Sequence, residues 1–233
     1  MEESGEEMRC CRPGRFGLPQ WPVIVLMVLF CAAELFQVEP AEAHKNHDHS
    51  QSAEKLVGNF LKKMDRQICK IPETRLLSVE GERVRLYSDL VKAKTVAISF
   101  IYTQCTNICS PISANVGALR DLMRERVGKD VQLVSITIDP VTDTPRRLKK
   151  WSRHFDPDEG WVFLTGKKHR IDRFLKQLKV FTPDIEDHPP IMIISNDRTG
   201  RCVYTNGLAA PGQLKRTIEE LADEAPKAEG SGS

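Results

Sequence analysis

The sequence predicts an α/β sandwich in which a central mixed sheet carries helices on both faces. Two observations lead there: strand-like and helix-like periodicities alternate from residue 75 to residue 221, and residues 95–102 (Thr-Val-Ala-Ile-Ser-Phe-Ile-Tyr) form the unbroken β-branched and aromatic run expected of a buried central strand. The chain has 233 residues, 40% of them apolar, which suffices for one domain with a sizeable core.

Each element has its own signal. Residues 75–81 and 82–87 read as two short strands about a Glu80-Gly81 turn, followed by the central strand and a helix over 110–127. A strand over 131–138 leads to a helix over 144–154, where Thr144 suits the N-cap and Pro145 the first helical turn. Next come a strand over 161–165 and a helix over 170–180. Strands over 191–195 and 201–205 flank the turn Asn196-Asp-Arg-Thr-Gly200, and a helix over 213–221 closes the domain. Ahead of these, Leu56, Val57, Phe60, Leu61 and Met64 recur at helical spacing and predict a lead-in helix.

The ends lie outside this core. Thirteen apolar residues from Trp21 to Ala33 follow Arg9, Arg12 and Arg15 and precede Glu34, Glu39 and Glu42, which marks residues 1–43 as an export signal or uncleaved membrane anchor. That orientation puts the domain outside the cytoplasm, in the periplasm or on the outer face of the membrane. Residues 44–69 form a linker and the lead-in helix, 70–223 the domain, and 224–233 a polar tail. The linker holds His44, His47 and His49, either an auxiliary metal-collecting tract or an ordinary polar spacer. With 34 Lys+Arg against 32 Asp+Glu, the net charge of +2 argues against a nucleic-acid binder.

The chemistry centres on Cys105-Thr-Asn-Ile-Cys109, immediately after the central strand. In a sheet of this kind, reactive groups gather beyond the carboxyl ends of the strands. Cysteines four apart at the start of a helix share one face, where the helix dipole favours thiolate. Such a pair serves as a structural disulfide, a redox couple or two soft metal ligands. His188, in Asp184-Ile-Glu-Asp-His-Pro-Pro190, precedes a strand and would complete a two-thiolate, one-imidazole set suited to Cu(I); taken alone it reads as a solvated loop residue. Asp187 is a candidate to orient that imidazole, or else a turn former. In Asp139-Pro-Val-Thr-Asp143, Asp139 stands at a strand end on the cysteine side, able to accept a thiol proton or to cap a turn, while Asp143 reads as a turn former. Cys69 and Cys202 are candidates for a structural disulfide, or else plain buried hydrophobes.

Residues 71–221 resemble the Sco family of copper-binding proteins, also called SenC or PrrC, on the strength of four segments taken together. These are Ser99-Phe-Ile-Tyr-Thr-Gln-Cys-Thr-Asn-Ile-Cys109, Thr137-Ile-Asp-Pro-Val-Thr-Asp-Thr-Pro145, Phe163-Leu-Thr-Gly166, and Asp187-His188 ahead of a strand. The resemblance implies a thioredoxin-like fold, with Cys105, Cys109 and His188 as copper ligands and Asp139 a nearby acid. It also implies a role in assembling the dicopper CuA centre of cytochrome c oxidase subunit II, by carrying copper, by reducing that subunit's cysteines, or both. Thr106 and Ser110 replace the prolines usual beside the two cysteines, and Pro189-Pro190 follow His188 where a small hydroxyl residue is more usual. The rival reading is an exported thiol:disulfide oxidoreductase, with Cys105 attacking, Cys109 resolving and Pro189 or Pro190 facing them. A peroxiredoxin-type peroxidase fits less well, because Tyr102 stands where its upstream proline belongs.

Overall fold

The computed structural model describes residues 67–158 and 160–224, together with position 58. Most of the predicted lead-in helix, the histidine tract and the apolar run at 21–33 lie outside the described residues. Among the described residues no helix is long and apolar enough to cross a membrane.

One eight-stranded mixed sheet organises the domain: β1 (Gln67–Ile68), β2 (Arg75–Ser78), β3 (Arg83–Arg85), β4 (Thr95–Ile101), β5 (Val131–Thr137), β6 (Trp161–Thr165), β7 (Ile191–Asn196) and β8 (Arg201–Asn206). Their spatial order is β1-β8-β7-β4-β5-β6-β2-β3. Strands β4, β5 and β6 run parallel, with Ile98 opposite Val134 and Val134 opposite Val162. Antiparallel β7 then pairs with β4, placing Ile193 opposite Ile98. Among the described residues four helices cover the sheet: α1 (Cys109–Leu122), α2 (Pro145–Ser152), α3 (Lys168–Gln177) and α4 (Pro211–Ala222).

The two-residue period of the strands divides the core into two layers. From β4, Val96, Ile98 and Phe100 join Val134, Ile136, Leu164 and Ile193 against Ile171 and Phe174 of α3. The intervening Ala97 and Ile101 face the other way, towards Ile112 and Val116 of α1 and Leu214 and Ile218 of α4. All seven β4 residues are therefore buried, as their composition predicts.

The differences from the expected elements are local. Tyr87 ends no strand: Leu86–Val91 forms a π-helical turn, in which the Glu73 carboxylate accepts the Tyr87 and Ser88 N–H groups. The predicted second helix divides into α2, capped by the Thr144 hydroxyl on the Arg147 N–H at 3.3 Å, and a 3-10 turn, Arg153–Phe155. Helix α1 stops at Leu122, short of residue 127, because Val127 bridges to Val131 beside the start of β5. Gly81 turns the β2–β3 hairpin at φ 83°, a left-handed conformation that glycine adopts without side-chain clash.

Candidate metal and thiol site

The parallel strands set the site, because β4 and β5 end side by side at their carboxyl edges. Beyond β4 the chain turns through Thr103 and Cys105 into α1, whose first residue is Cys109. Both cysteines are free thiols, Cys105 half-buried and Cys109 buried. They touch through the Cys109 N–H, which donates to Cys105 Sγ at 3.3 Å.

Their environments push them apart. Burial opposes ionisation of Cys105, but hydrogen bonds from the Cys109 thiol and from the N–H groups of Cys109, Asn107 and Ile108 outweigh it, so its pKa lies below the ordinary thiol value. Cys109 is shifted strongly upward by burial, reinforced by its hydrogen bond to Cys105 and by the charges of Cys105 and Asp143. Cys105 is thus the accessible nucleophile, and Cys109 is the protonated reserve beneath it. Tyr102 leans over the pair: burial first, then the charge of Cys105 and a hydrogen bond to it, raise the phenol to about 12.

His188 is buried at 6% exposure, its ring centroid 5.6 Å from that of Phe100. Burial lowers its pKa to about 4, against opposing hydrogen bonds to the backbone of Pro189 and Val180, and its Nε2 has no hydrogen-bond partner among the described residues. The cysteines and His188 do not close into one cluster. Among the described residues, no three His, Cys, Asp or Glu side chains stand close enough together to hold a metal ion. The period of β4 explains this, since Phe100 points into the α3 layer whereas Cys109 packs in the α1 layer, with Tyr102 touching both. The donor chemistry nevertheless fits a soft cation: two thiols and a neutral imidazole whose Nε2 has no partner among the described residues. Cys105 and Cys109 come together, whereas His188 is not brought into their cluster.

The acidic candidates also sort themselves. Asp139 serves its own turn, with Oδ1 accepting the Thr142 N–H at 3.3 Å and its carbonyl accepting the Asp143 N–H. Asp187 is exposed, and no hydrogen bond joins its carboxylate to the imidazole among the described contacts. Asp143 is the larger surprise, because it is completely buried where a turn former was expected. Its carboxylate accepts the Thr103 N–H at 3.0 Å, the Thr103 hydroxyl at 2.5 Å and the Thr137 hydroxyl at 2.6 Å, while its carbonyl accepts the Thr165 hydroxyl at 2.7 Å. Asp143 therefore ties the cysteine loop to the ends of β5 and β6. Its sequence signal was the run of threonines, Thr103, Thr137 and Thr165, one at or just past the end of each parallel strand.

Cys69 and Cys202 are joined by a disulfide that spans 133 residues, with Cα atoms 5.8 Å apart. The Cys69 N–H also donates to the Gly200 carbonyl, fixing the entry of the domain against β8.

Comparisons with known proteins agree with this architecture. The SCO1/SenC family profile matches residues 72–221. A SCO1 protein homolog from Bacillus subtilis is 34% identical over 114 residues, which cover 46% of this chain and 57% of that protein. The chain thus spans little more than half the length of the curated relatives it matches. Among solved structures, a SCO1/SenC family lipoprotein from Bacillus anthracis superposes with a TM-score of 0.58 at 24% identity, covering 68% of this chain and 98% of that one. ScoI from Arabidopsis thaliana, solved with copper bound, gives 0.56 at 23% identity, covering 65% and 97%. With a profile that spans most of the domain and a fold shared with these structures, the chain belongs to the SCO1/SenC family and has its thioredoxin-like fold.

Proposed function

We propose that the chain is a copper-binding assembly protein, which takes Cu(I) as cargo on Cys105, Cys109 and His188 and serves the CuA centre of cytochrome c oxidase subunit II. The observation that carries this reading is the buried Nε2 of His188, which has no hydrogen-bond partner among the described residues. A buried imidazole nitrogen left without a hydrogen bond is costly, and a metal ion satisfies it. Two further supports are the free thiol pair and family membership. Loading brings the 182–190 loop to the cysteines, passing Tyr102, and it requires both thiols reduced. The Cys69–Cys202 disulfide and the apolar run at 21–33 support placement outside the cytoplasm, anchored or exported. Asp139 and Asp187 would act only on the surroundings of the site, and His44, His47 and His49 would supply a second, weaker copper position.

The split between the two thiols favours a second activity at the same site. The Cys105 thiolate attacks a partner disulfide, one partner sulfur leaves as thiolate, and Cys109, after losing its proton, displaces the other. The partner ends reduced and the pair oxidised. Anaerobic Cu(I) titration of the reduced chain separates the two readings. The His188→Ala variant should bind Cu(I) more weakly and with an altered spectrum, whereas unchanged affinity and spectrum would overturn the three-ligand site. Undiminished insulin-disulfide reduction by that variant, together with unchanged Cu(I) binding, would favour the oxidoreductase.

A further inference from the structure

We propose that a basic trough formed by β2, β3 and the start of α3 receives an acidic, extended segment of a partner protein. The trough encloses about 800 Å³. Arg75 and Arg83 line it from the hairpin, Lys167 and Arg170 from the segment after β6, and a neighbouring hollow that shares Arg75 and Arg170 adds Arg173. None of these five cations has an ion-pair partner among the described residues, whereas the adjacent Arg85 is held by Asp89 and Lys168 by Asp172. A chain with a net charge of only +2 thus collects four uncompensated cations in one hollow, with Arg173 in the neighbouring hollow that Glu73 also lines.

Like charges so close repel one another, and an anionic occupant relieves that repulsion. Concavity favours a chain segment over a bilayer, since cations facing one another across a hollow match a protruding strand of carboxylates better than a flat headgroup layer. The acids at its margin, Asp89 beside Arg85 and Asp172 beside Lys168, would be pressed against an anionic membrane. Half-buried Leu77 and Val84 line the same trough, which calls for aliphatic residues among the occupant's acids. Gly166 shapes it, because a Cβ there would meet Leu76 Cδ2 at 3.1 Å.

The position has a further meaning. Gly166 follows β6 at the sheet edge where β4 and β5 also end, and Thr165, Asp143 and Thr103 form a hydrogen-bonded chain from the trough to the cysteine loop. A partner held in the trough presents its neighbouring residues to Cys105. Binding here does not depend on what the cysteines carry, so it stands or falls separately from the copper reading.

The test is fluorescence anisotropy of the full chain with a short fluorescein-labelled peptide rich in glutamate and carrying two leucines. Binding should weaken steeply with added salt, and Arg83→Glu combined with Lys167→Glu should reduce affinity at least about tenfold. Both residues are exposed, so the fold is retained, which circular dichroism checks. Lys215→Glu with Arg216→Glu, on α4 at the opposite face, should leave binding unchanged. Equal losses in the two double variants would reduce the effect to bulk charge and overturn the proposal. So would binding of phosphatidylserine vesicles, but not the peptide, through Arg83 and Lys167.

Discussion

At the scale of single residues, His188 sets the acid limit of the metal-free domain. Its imidazole titrates near 6.5 when the chain is unfolded, but burial holds it neutral down to about 4 in the folded state. Between those values the unfolded chain binds the extra proton. The stabilisation is therefore complete above about pH 6.5 and is lost as pH falls towards 4, by roughly 3 kcal/mol in all. His188→Phe, which keeps a ring against Phe100, should flatten this acid limb. The check is the melting temperature of metal-free wild type and variant between pH 7 and 4, and parallel curves would refute it. The sequence marked His188 as a ligand candidate, but not as a buried one. Its acidic neighbours, Glu186 and Asp187, are exposed, and the depth of the imidazole comes from Phe100, far away along the chain.

At the scale of elements, the strands were readable because each is a compact β-branched run bounded by turn residues, and β4, β5 and β7 came out as expected, within a residue at their ends. What the sequence hid was cooperation between distant ends. Asp143 lies beside Thr144-Pro145, whose capping role explains the segment locally and conceals that its carboxylate reaches Thr103, forty residues earlier. The π-helical turn was hidden in the same way, since its anchor is Glu73 on the other side of the hairpin. Asp143 holds the ends of three parallel strands in register, so Asp143→Ala leaves two threonine hydroxyls and the Thr103 N–H without their acceptor. We expect a loss of about 3 kcal/mol in urea unfolding, with faster hydrogen exchange at Thr103. Asp143→Asn, which retains an acceptor oxygen, should recover part of it. A loss below about 1 kcal/mol would remove Asp143 from this role.

At the scale of the whole molecule, the disulfide is the main long-range constraint. It closes a loop of 133 residues, which in the chain-entropy view stabilises the fold by roughly 4–5 kcal/mol. A Cys69→Ser, Cys202→Ala double variant should lower the urea midpoint accordingly while leaving the reactivity of Cys105 towards iodoacetamide unchanged. A midpoint equal to that of wild type would show that the noncovalent contacts of β8 suffice. The basic trough illustrates why charge at this scale was not legible: its cations come from residues 75–85 and 167–173, and the near-balanced total conceals their convergence.

The disulfide also has a mechanical consequence. The chain enters through β1 and Cys69 just after it, at one outer edge of the sheet, whereas β3 forms the other, seven strand spacings or roughly 34 Å away. Tension applied to the preceding segment passes through the sulfur bridge into β8, then along the hydrogen bonds of β7 to β4. The covalent bond keeps β1 from being peeled off β8, and the far edge, with the trough, lies at the opposite end of the strand order from the point of entry. The domain can strain against whatever holds its leading end and still keep its hollow in shape.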